Sequence, residues 1–226
     1  MHKSVFVVMP VHGRQEQSVD TMRRLIGTAH YPATYLSVGG YADANIVNTV
    51  GSVAGCQPIL VNTLVATYWQ SLHRATAGLS DDALIVNVAN DVLPCHQWLQ
   101  RAVDDYRSEA DKYNNPYDPV IGFNGDGHLE EHACHFMISM ERIRSYGGWP
   151  TWYHHNFGDT EIVQRAESTG DFYKSKYAIL FHNHPYVSGA PSDAVYAEGN
   201  SKFQDDRRLF LYRKERGWDP SLIRLP

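Results

Sequence analysis

Ser4-Val5-Phe6-Val7-Val8-Met9 is an unbroken, β-rich apolar run closed by Pro10. A strand with one wet face alternates apolar and polar residues. A run that is apolar throughout suits a strand covered on both faces, as in a parallel sheet between layers of helices. The chain that follows keeps to this plan. Val19, Met22, Leu25 and Ile26 fall at helical spacing within 15–29, and Tyr35-Leu36-Ser37-Val38 reads as a second strand closed by Gly39-Gly40. A helix over 44–53, a strand over 58–61, a helix over 63–77 and a strand over 83–88 continue the alternation, which implies βαβ crossovers. Past a helix over 97–112 the pattern changes. Pro116 and Pro119 flank a loop, 120–123 and 133–140 read as strands, and a short helix ends at Gly147-Gly148. Residues 158–168 read as a helix, 177–181 as a strand and 200–217 as a basic, aromatic helix. The expectation is an α/β chain: one Rossmann-like domain over 1–195, its mostly parallel central sheet flanked by helices, then a C-terminal helical tail over 196–226.

At 226 residues the chain suits one sizeable core rather than two. Lys plus Arg total 20 against 25 Asp plus Glu, a formal net charge of −5, which argues against a generic nucleic-acid coat. Cys56, Cys95 and Cys134 are widely spaced, form no CxxC and leave an odd thiol, as in a reduced intracellular setting. Pro10 ends the first apolar run well short of signal or membrane length, and no other stretch approaches it. The expected protein is therefore soluble and cytoplasmic. Twelve His, fourteen Tyr and five Trp supply ligands and stacking surfaces.

Open parallel sheets bind ligands in the crevice beyond the carboxyl ends of their strands. The segments at those ends are Pro10-Val11-His12-Gly13-Arg14, Gly39-Gly40-Tyr41-Ala42-Asp43 and Ala89-Asn90-Asp91-Val92-Leu93-Pro94. None carries GxGxxG or GxxxxGK[ST], which argues against a dinucleotide or P-loop site. One carboxylate at Asp91 suffices to hold Mg²⁺ or Mn²⁺ against a diphosphate, because phosphate and water oxygens complete the shell; the plain alternative is a turn-opening cap before Pro94. Asp159 stands where the helix over 158–168 begins, with Glu161 in its first turn. It is either a general base acting by proximity or a helix cap. His182 and His184, just past a strand, project to one side of an extended chain and suit metal or phosphate contact. His128-Leu129-Glu130-Glu131-His132 matches the H-x-x-E-H string of inverted zinc peptidases, which needs a helix. Gly125, Gly127 and the strand-like residues after it favour a substrate-side loop, to which His135 adds. Trp149, Trp152, Tyr153, His154 and His155 offer stacking faces for sugar rings or bases, or pack under a loop.

Taken in order, these segments resemble the nucleotide-sugar glycosyltransferases with a GT-A fold, in particular the large inverting family 2, over about 5–185. Val5 to Arg14 resembles that family's opening strand and loop, and Asp43 stands where a carboxylate meets the nucleoside. Asn90-Asp91 resembles the DxD metal motif with Ala89 in place of its first acid. Gly147-Gly148-Trp149 followed by Phe157-Gly158-Asp159 resembles the Gly-Gly-Phe-Asp stretch and acidic helix start, although Trp149-Pro150 replaces the usual Phe-Asp. The resemblance implies a single GT-A domain. It implies donor contacts from Pro10, His12, Arg14, Asp43, Asn90 and Asp91, and a Mn²⁺ or Mg²⁺ ion on Asp91 with His182 or His184. It further implies Asp159 as catalytic base and an acceptor face including Trp149, Trp152, His154, His155 and Glu161. The implied reaction moves a sugar, with inversion, from a nucleotide sugar of the UDP class to a hydroxyl on a glycan or on a hydroxymethylated DNA base, as in some bacteriophage enzymes. Two readings from other classes stand beside it: a zinc-dependent hydrolase using His128, Glu131, His132 and His182 or His184, and a non-catalytic sugar-binding module. Lys202, Arg207, Arg208, Arg213, Lys214 and Arg216 make the tail either a solvated helix face or a surface for an anionic acceptor.

Overall fold

The run that opens the chain is indeed covered on both faces. In a computed structural model that describes residues 3–112, 118–127 and 132–225, Val5, Val7 and Met9 of β1 (Val5–Pro10) enter one apolar cluster while Val8 enters another on the opposite face. β1 lies parallel to β2 (Thr34–Gly39) on one side and to β4 (Leu84–Asn87) on the other, and β3 (Cys56–Leu60) extends the sheet beyond β2. α1 (Gln15–Thr28), α2 (Ala44–Gly51) and α3 (Tyr68–Thr76) make the crossovers. The eight strands run β3-β2-β1-β4-β7-β6-β8-β5, so the strand order reverses between β1 and β4. That reversal opens a crevice at the carboxyl ends of these two strands.

The second half of the sheet is mixed. β7 (Phe136–Ser139) runs antiparallel to β4 and to β6 (Val120–Asn124), β8 (Phe172–His182) runs parallel to β6, and β5 (Val92–Pro94) pairs antiparallel with the far edge of β8. α4 (Trp98–Lys112), α5 (Met140–Ser145) and α6 (Gly158–Ser168) flank these strands. α7 (Pro185–Ser188), α8 (Ala194–Ser201) and α9 (Phe203–Glu215) complete the described chain. All three cysteines are free thiols, and no helix among the described residues is long and apolar enough to cross a membrane.

Several elements depart from the sequence reading, each for a local reason. α3 starts at Tyr68 rather than near 63, because the Thr67 hydroxyl accepts the Gln70 amide while the Gln70 side chain accepts the Thr67 amide, a capping box. The carbonyls of Thr63 and Leu64 serve instead to hold the 3-10 turn Tyr41–Asp43. β8 is eleven residues long, not five. Its polar first half is tolerated inside the fold because Lys174 pairs with the buried Asp126 at 2.8 Å and Ser175 bonds Asp105. β5 stands where the sequence pattern places no element. The tail is two helices, the boundary expected at 195/196 falls inside α8, and Leu209 and Phe210 of α9 enter the second core cluster.

The tail is pinned by charge as well. Arg213 of α9 and Glu161 of α6 are both essentially unexposed and meet as a bidentate pair at 2.7 and 2.9 Å. The Tyr153 hydroxyl donates to the same carboxylate at 2.8 Å, and the Arg213 guanidinium lies 4.0 Å from the centre of the Trp152 ring. Removing one partner strands a buried charge. Arg213→Ala should lower the unfolding free energy by about 3–5 kcal/mol, and Glu161→Leu with Arg213→Met should cost less than either single change, as read from urea unfolding.

Candidate active site

The crevice between β1 and β4 collects the polar groups that follow those strands. After β1, Arg14 takes a left-handed backbone (φ 50°, ψ 50°) to start α1, which turns its side chain back over the strand ends. His12 Nδ1 lies 2.8 Å from Asp43 Oδ2, and the Gly13 amide donates to Asp43 Oδ1 at 3.1 Å. Asp43 is thus a buried carboxylate that fixes the loop after β1 from the start of α2. Pro10 closes β1, and Asn90 is buried against α1, its amide donating to Ser18 Oγ and its carbonyl accepting from Thr21.

Asp91 is 5% exposed and meets His182 through a pairing absent from the sequence reading. Val92 of β5 stands opposite His182 of β8, and the Asn183 amide donates to the Asp91 carbonyl at 2.8 Å. This register brings Asp91 Oδ1 to 3.2 Å from His182 Nε2. Asp91 Oδ2 accepts the Tyr196 hydroxyl at 2.8 Å and lies 3.7 Å from Arg14 Nη1. Desolvation alone would raise the Asp91 carboxyl, but His182 and Tyr196 outweigh it and hold it at about 2. His135 packs its ring 5.0 Å from that of His182; burial and that neighbour hold its imidazole at about 3. Four buried atoms here have no hydrogen-bond partner: Asp91 Oδ1, His182 Nδ1 and both nitrogens of His135. His184 projects to the same side as His182, with ring centres 5.1 Å apart. Its Nδ1 accepts the Tyr186 amide at the cap of α7.

Asp159 comes from the first turn of α6. Phe157 is left-handed before it (φ 66°), and a Cβ on Gly158 would meet the Trp69 ring at 2.3 Å, so only glycine lets the helix start this close to α3. Trp69 Nε1 also donates to the His155 carbonyl at 3.1 Å. The Asp159 Oδ1 atom accepts the Thr160 amide, and Oδ2 faces His132 Nε2 at 3.7 Å. Tyr68, whose hydroxyl accepts from Asn87, feels both carboxylates: desolvation pushes its phenol up, and the charges of Asp159 and Asp91 both add to that.

Across this crevice runs a strap, residues 193–198, whose contacts fall on the residues singled out after β1 and β4. Asp193 takes Arg14 in a two-pronged pair at 2.6 Å for each bond, which holds its carboxyl at about 2. Tyr196 lies under the Arg14 guanidinium at 3.7 Å, and Glu198 Oε2 is 3.1 Å from His12 Nε2. Tyr196, Asp193, Glu198 and His135 were absent from the site drawn from sequence. Only His135 had a signal there, as one of several histidines in its loop.

The face assigned to an acceptor divides. His154 and His155 are exposed, held by backbone amides that, with that of Asn156, donate to the buried Asp206 carboxylate at 2.9 Å. Trp152 is half-buried beneath Arg213. Trp149 is 2% exposed, stacked on Trp69 with its Nε1 donating to Thr76, and Glu161 is consumed by Arg213; both are packing residues, not surface ones. His128 and Glu131 lie outside the described residues, and His132 stands in an irregular segment rather than on a helix.

No family model and no curated protein sequence matches the chain. Solved structures do. A mannosyltransferase from Pyrobaculum calidifontis, in complex with GDP-Man and Mn²⁺, superposes with a TM-score of 0.62 at 12% identity over 93% of this chain. The chain has the GT-A fold. S. aureus TarS (TM-score 0.54, 9% identity, 78% of this chain) shares it. So does a mutant Drosophila beta-1,4-galactosyltransferase 7 in complex with manganese, UDP-Gal and xylobiose (0.51, 10%, 87%). This chain spans 62% of the mannosyltransferase, 59% of the TarS chain and 79% of the galactosyltransferase.

Within this GT-A fold the strap is coupled to pH through His12. Desolvation pulls His12 down, but its bonds to Asp43 and Glu198 outweigh that and raise it above the ordinary 6.5. A raised folded-state pKa means a stabilisation fully present below 6.5 and lost as pH rises through the folded value. The melting-temperature loss caused by Glu198→Gln should therefore be larger at about pH 6 than at about pH 8.

Proposed function

We propose that the chain is an inverting, metal-assisted glycosyltransferase that moves a sugar from a nucleotide sugar to an acceptor hydroxyl. The observation that carries this reading is the unsatisfied cluster at the strand ends. A buried, ionised Asp91, with Oδ1 lacking a hydrogen bond, lies against His182, whose Nδ1 is unpartnered, and near His135, both of whose ring nitrogens are unpartnered, with the Arg14 guanidinium 3.7 Å from its other oxygen. Orphaned buried donor atoms are costly in a folded protein and suit a site that a cation completes. A carboxylate oxygen and imidazole nitrogens fit Mn²⁺ or Mg²⁺, with phosphate and water oxygens filling the remaining positions. Asp91 and His182 would hold that ion, which when bound neutralises the negative charge that builds on the departing diphosphate.

The remaining steps belong to the chain's own groups. The nucleoside lies by Pro10 to Arg14 and Asp43, and Arg14 turns from Asp193 to the diphosphate as the strap yields. Asp159 takes the proton of the acceptor hydroxyl as its oxygen attacks the anomeric carbon from the face opposite the leaving group; a single displacement inverts that centre. The side chains of His154 and His155 and the edge of Trp152 border the acceptor. A glycan hydroxyl suits this face better than DNA: Arg213 of the basic tail is buried on Glu161, Arg208 is paired with Asp205, and Arg216 with Glu215. A UDP-sugar is the first donor to test, and GDP-Man the second.

The test is release of nucleoside diphosphate and thermal stabilisation over a panel of such donors with and without Mn²⁺. Asp91→Ala should lose the metal-dependent stabilisation. Asp159→Asn should retain donor binding while turnover falls by about 10²–10⁴-fold. Undiminished turnover in Asp159→Asn would overturn its role.

A further inference from the structure

Among the described residues, one group of three side chains, distinct in composition from the Asp91 cluster, brings nitrogen, sulfur and oxygen donors together. His132 Nε2 lies 3.9 Å from Cys134 Sγ and 3.7 Å from Asp159 Oδ2, and the three donor atoms are all within 4.8 Å of one another. Ligands about 2.0–2.3 Å from a tetrahedral Zn²⁺ are about 3.5 Å apart, so the two His132 distances exceed that spacing by only a few tenths of an ångström, and the Cys134–Asp159 distance, within 4.8 Å, closes with a modest side-chain movement. We propose that His132, Cys134 and Asp159 form a second metal site, for a thiophilic divalent cation of the Zn²⁺ class, with its fourth position open.

The backbone that carries these ligands is held independently of any metal. The Cys134 amide donates to the buried Asp126 at 2.9 Å, the Cys134 carbonyl accepts from the buried Asn87 at 3.1 Å, and the His132 carbonyl accepts from Lys174 at 2.7 Å. His132 and Cys134 are two residues apart in an irregular segment, and Asp159 is fixed by the Gly158–Trp69 contact. Ligands locked by their surroundings bind a metal without a large ordering cost. The two sites also sort metals by chemistry. The Asp91 cluster, made of oxygen and imidazole and destined to share phosphate oxygens, suits Mn²⁺ or Mg²⁺, whereas a thiolate selects the softer ion. Binding releases the Cys134 proton, so affinity falls as pH falls.

The consequence for turnover rests on the proposed role of Asp159. Its Oδ2 atom is the ligand, so an ion there withholds the oxygen that would receive the acceptor proton. Zinc should inhibit at concentrations that leave the Mn²⁺ requirement satisfied.

The experiment is a Co²⁺ titration of the reduced, metal-free full chain. One equivalent should produce a thiolate-to-cobalt charge-transfer band together with the intense visible bands of four-coordinate Co²⁺, and Zn²⁺ should bleach both. Cys134→Ser should lose the charge-transfer band. His132→Ala should weaken Co²⁺ binding roughly tenfold or more, and Asp91→Ala should leave the spectrum unchanged. Circular dichroism melts of each variant report folding. A charge-transfer band that survives in Cys134→Ser, or a weak six-coordinate spectrum in the unaltered chain, overturns the site. In turnover, Cys134→Ser should keep its activity and lose zinc sensitivity. If the cobalt band follows Cys134 and zinc leaves turnover unaffected, the metal site stands and the assignment of Asp159 as base falls.

Discussion

Three residues of β5 hold the candidate site together. Val92, Leu93 and Pro94 pair antiparallel with His182, Phe181 and Leu180 at the end of β8, the last strand of the sheet. Without this short ladder, Asp91 ends a loop after β4 and His182 ends a strand on the far side of β6 and β7. With it, their side chains approach to 3.2 Å and Tyr196 finds its acceptor on Asp91. The entropy of closing so long a segment is met by the sheet and the two apolar clusters around it, not by the polar groups themselves. Gly125 supports the same junction: its carbonyl accepts the His182 amide, and a Cβ there would press on Ile179 and Phe181.

The distribution of buried charge separates packing from chemistry. Glu161 with Arg213, Arg142 with Asp171 and Lys174 with Asp126 are buried ions met by an opposite charge, and each ties together elements far apart in the chain. Such pairs fix geometry more than they add stability, because the attraction is largely spent on desolvation. The Asp91, His182 and His135 group differs in gathering four unsatisfied buried atoms in one place, whereas the Tyr35 and Tyr146 hydroxyls, Trp152 Nε1 and Gln164 Oε1 lack partners elsewhere in the fold. Four such atoms in one place concentrate the cost where a ligand would relieve it.

The strap over this opening is a mimic in charge. Asp193 and Glu198 place carboxylates on Arg14 and His12, and Tyr196 stacks beneath the guanidinium. An anionic ligand entering the crevice meets an arginine and a histidine already engaged by the chain, and its binding energy includes the cost of displacing those partners. The same contacts keep Arg14, held in a left-handed backbone conformation, over the strand ends before anything binds.

Much of the first half of the fold is legible in the sequence, because its strands are apolar throughout and its helices periodic: β1, α1, β2, α2 and β4 stand close to where composition and spacing put them. The ends of those strands likewise pointed to Asp43, Asp91 and Arg14. The second half is less legible, since β8 carries polar residues that only Asp126 and Asp105 make tolerable, and β5 is too short for any periodicity. The sequence leaves Trp149 open between a stacking face and packing under a loop, and Glu161 reads as a solvated first-turn acid, because an aromatic before a helix and an acid in its first turn look alike whether solvent or another element faces them. The sequence by itself determined a layered α/β chain and the side chains able to carry its chemistry. Which of them meet was decided only by tertiary structure, because Asp91 with His182, Glu161 with Arg213 and Asp159 with His132 are brought together by strand register and helix docking, and local spacing holds no record of either.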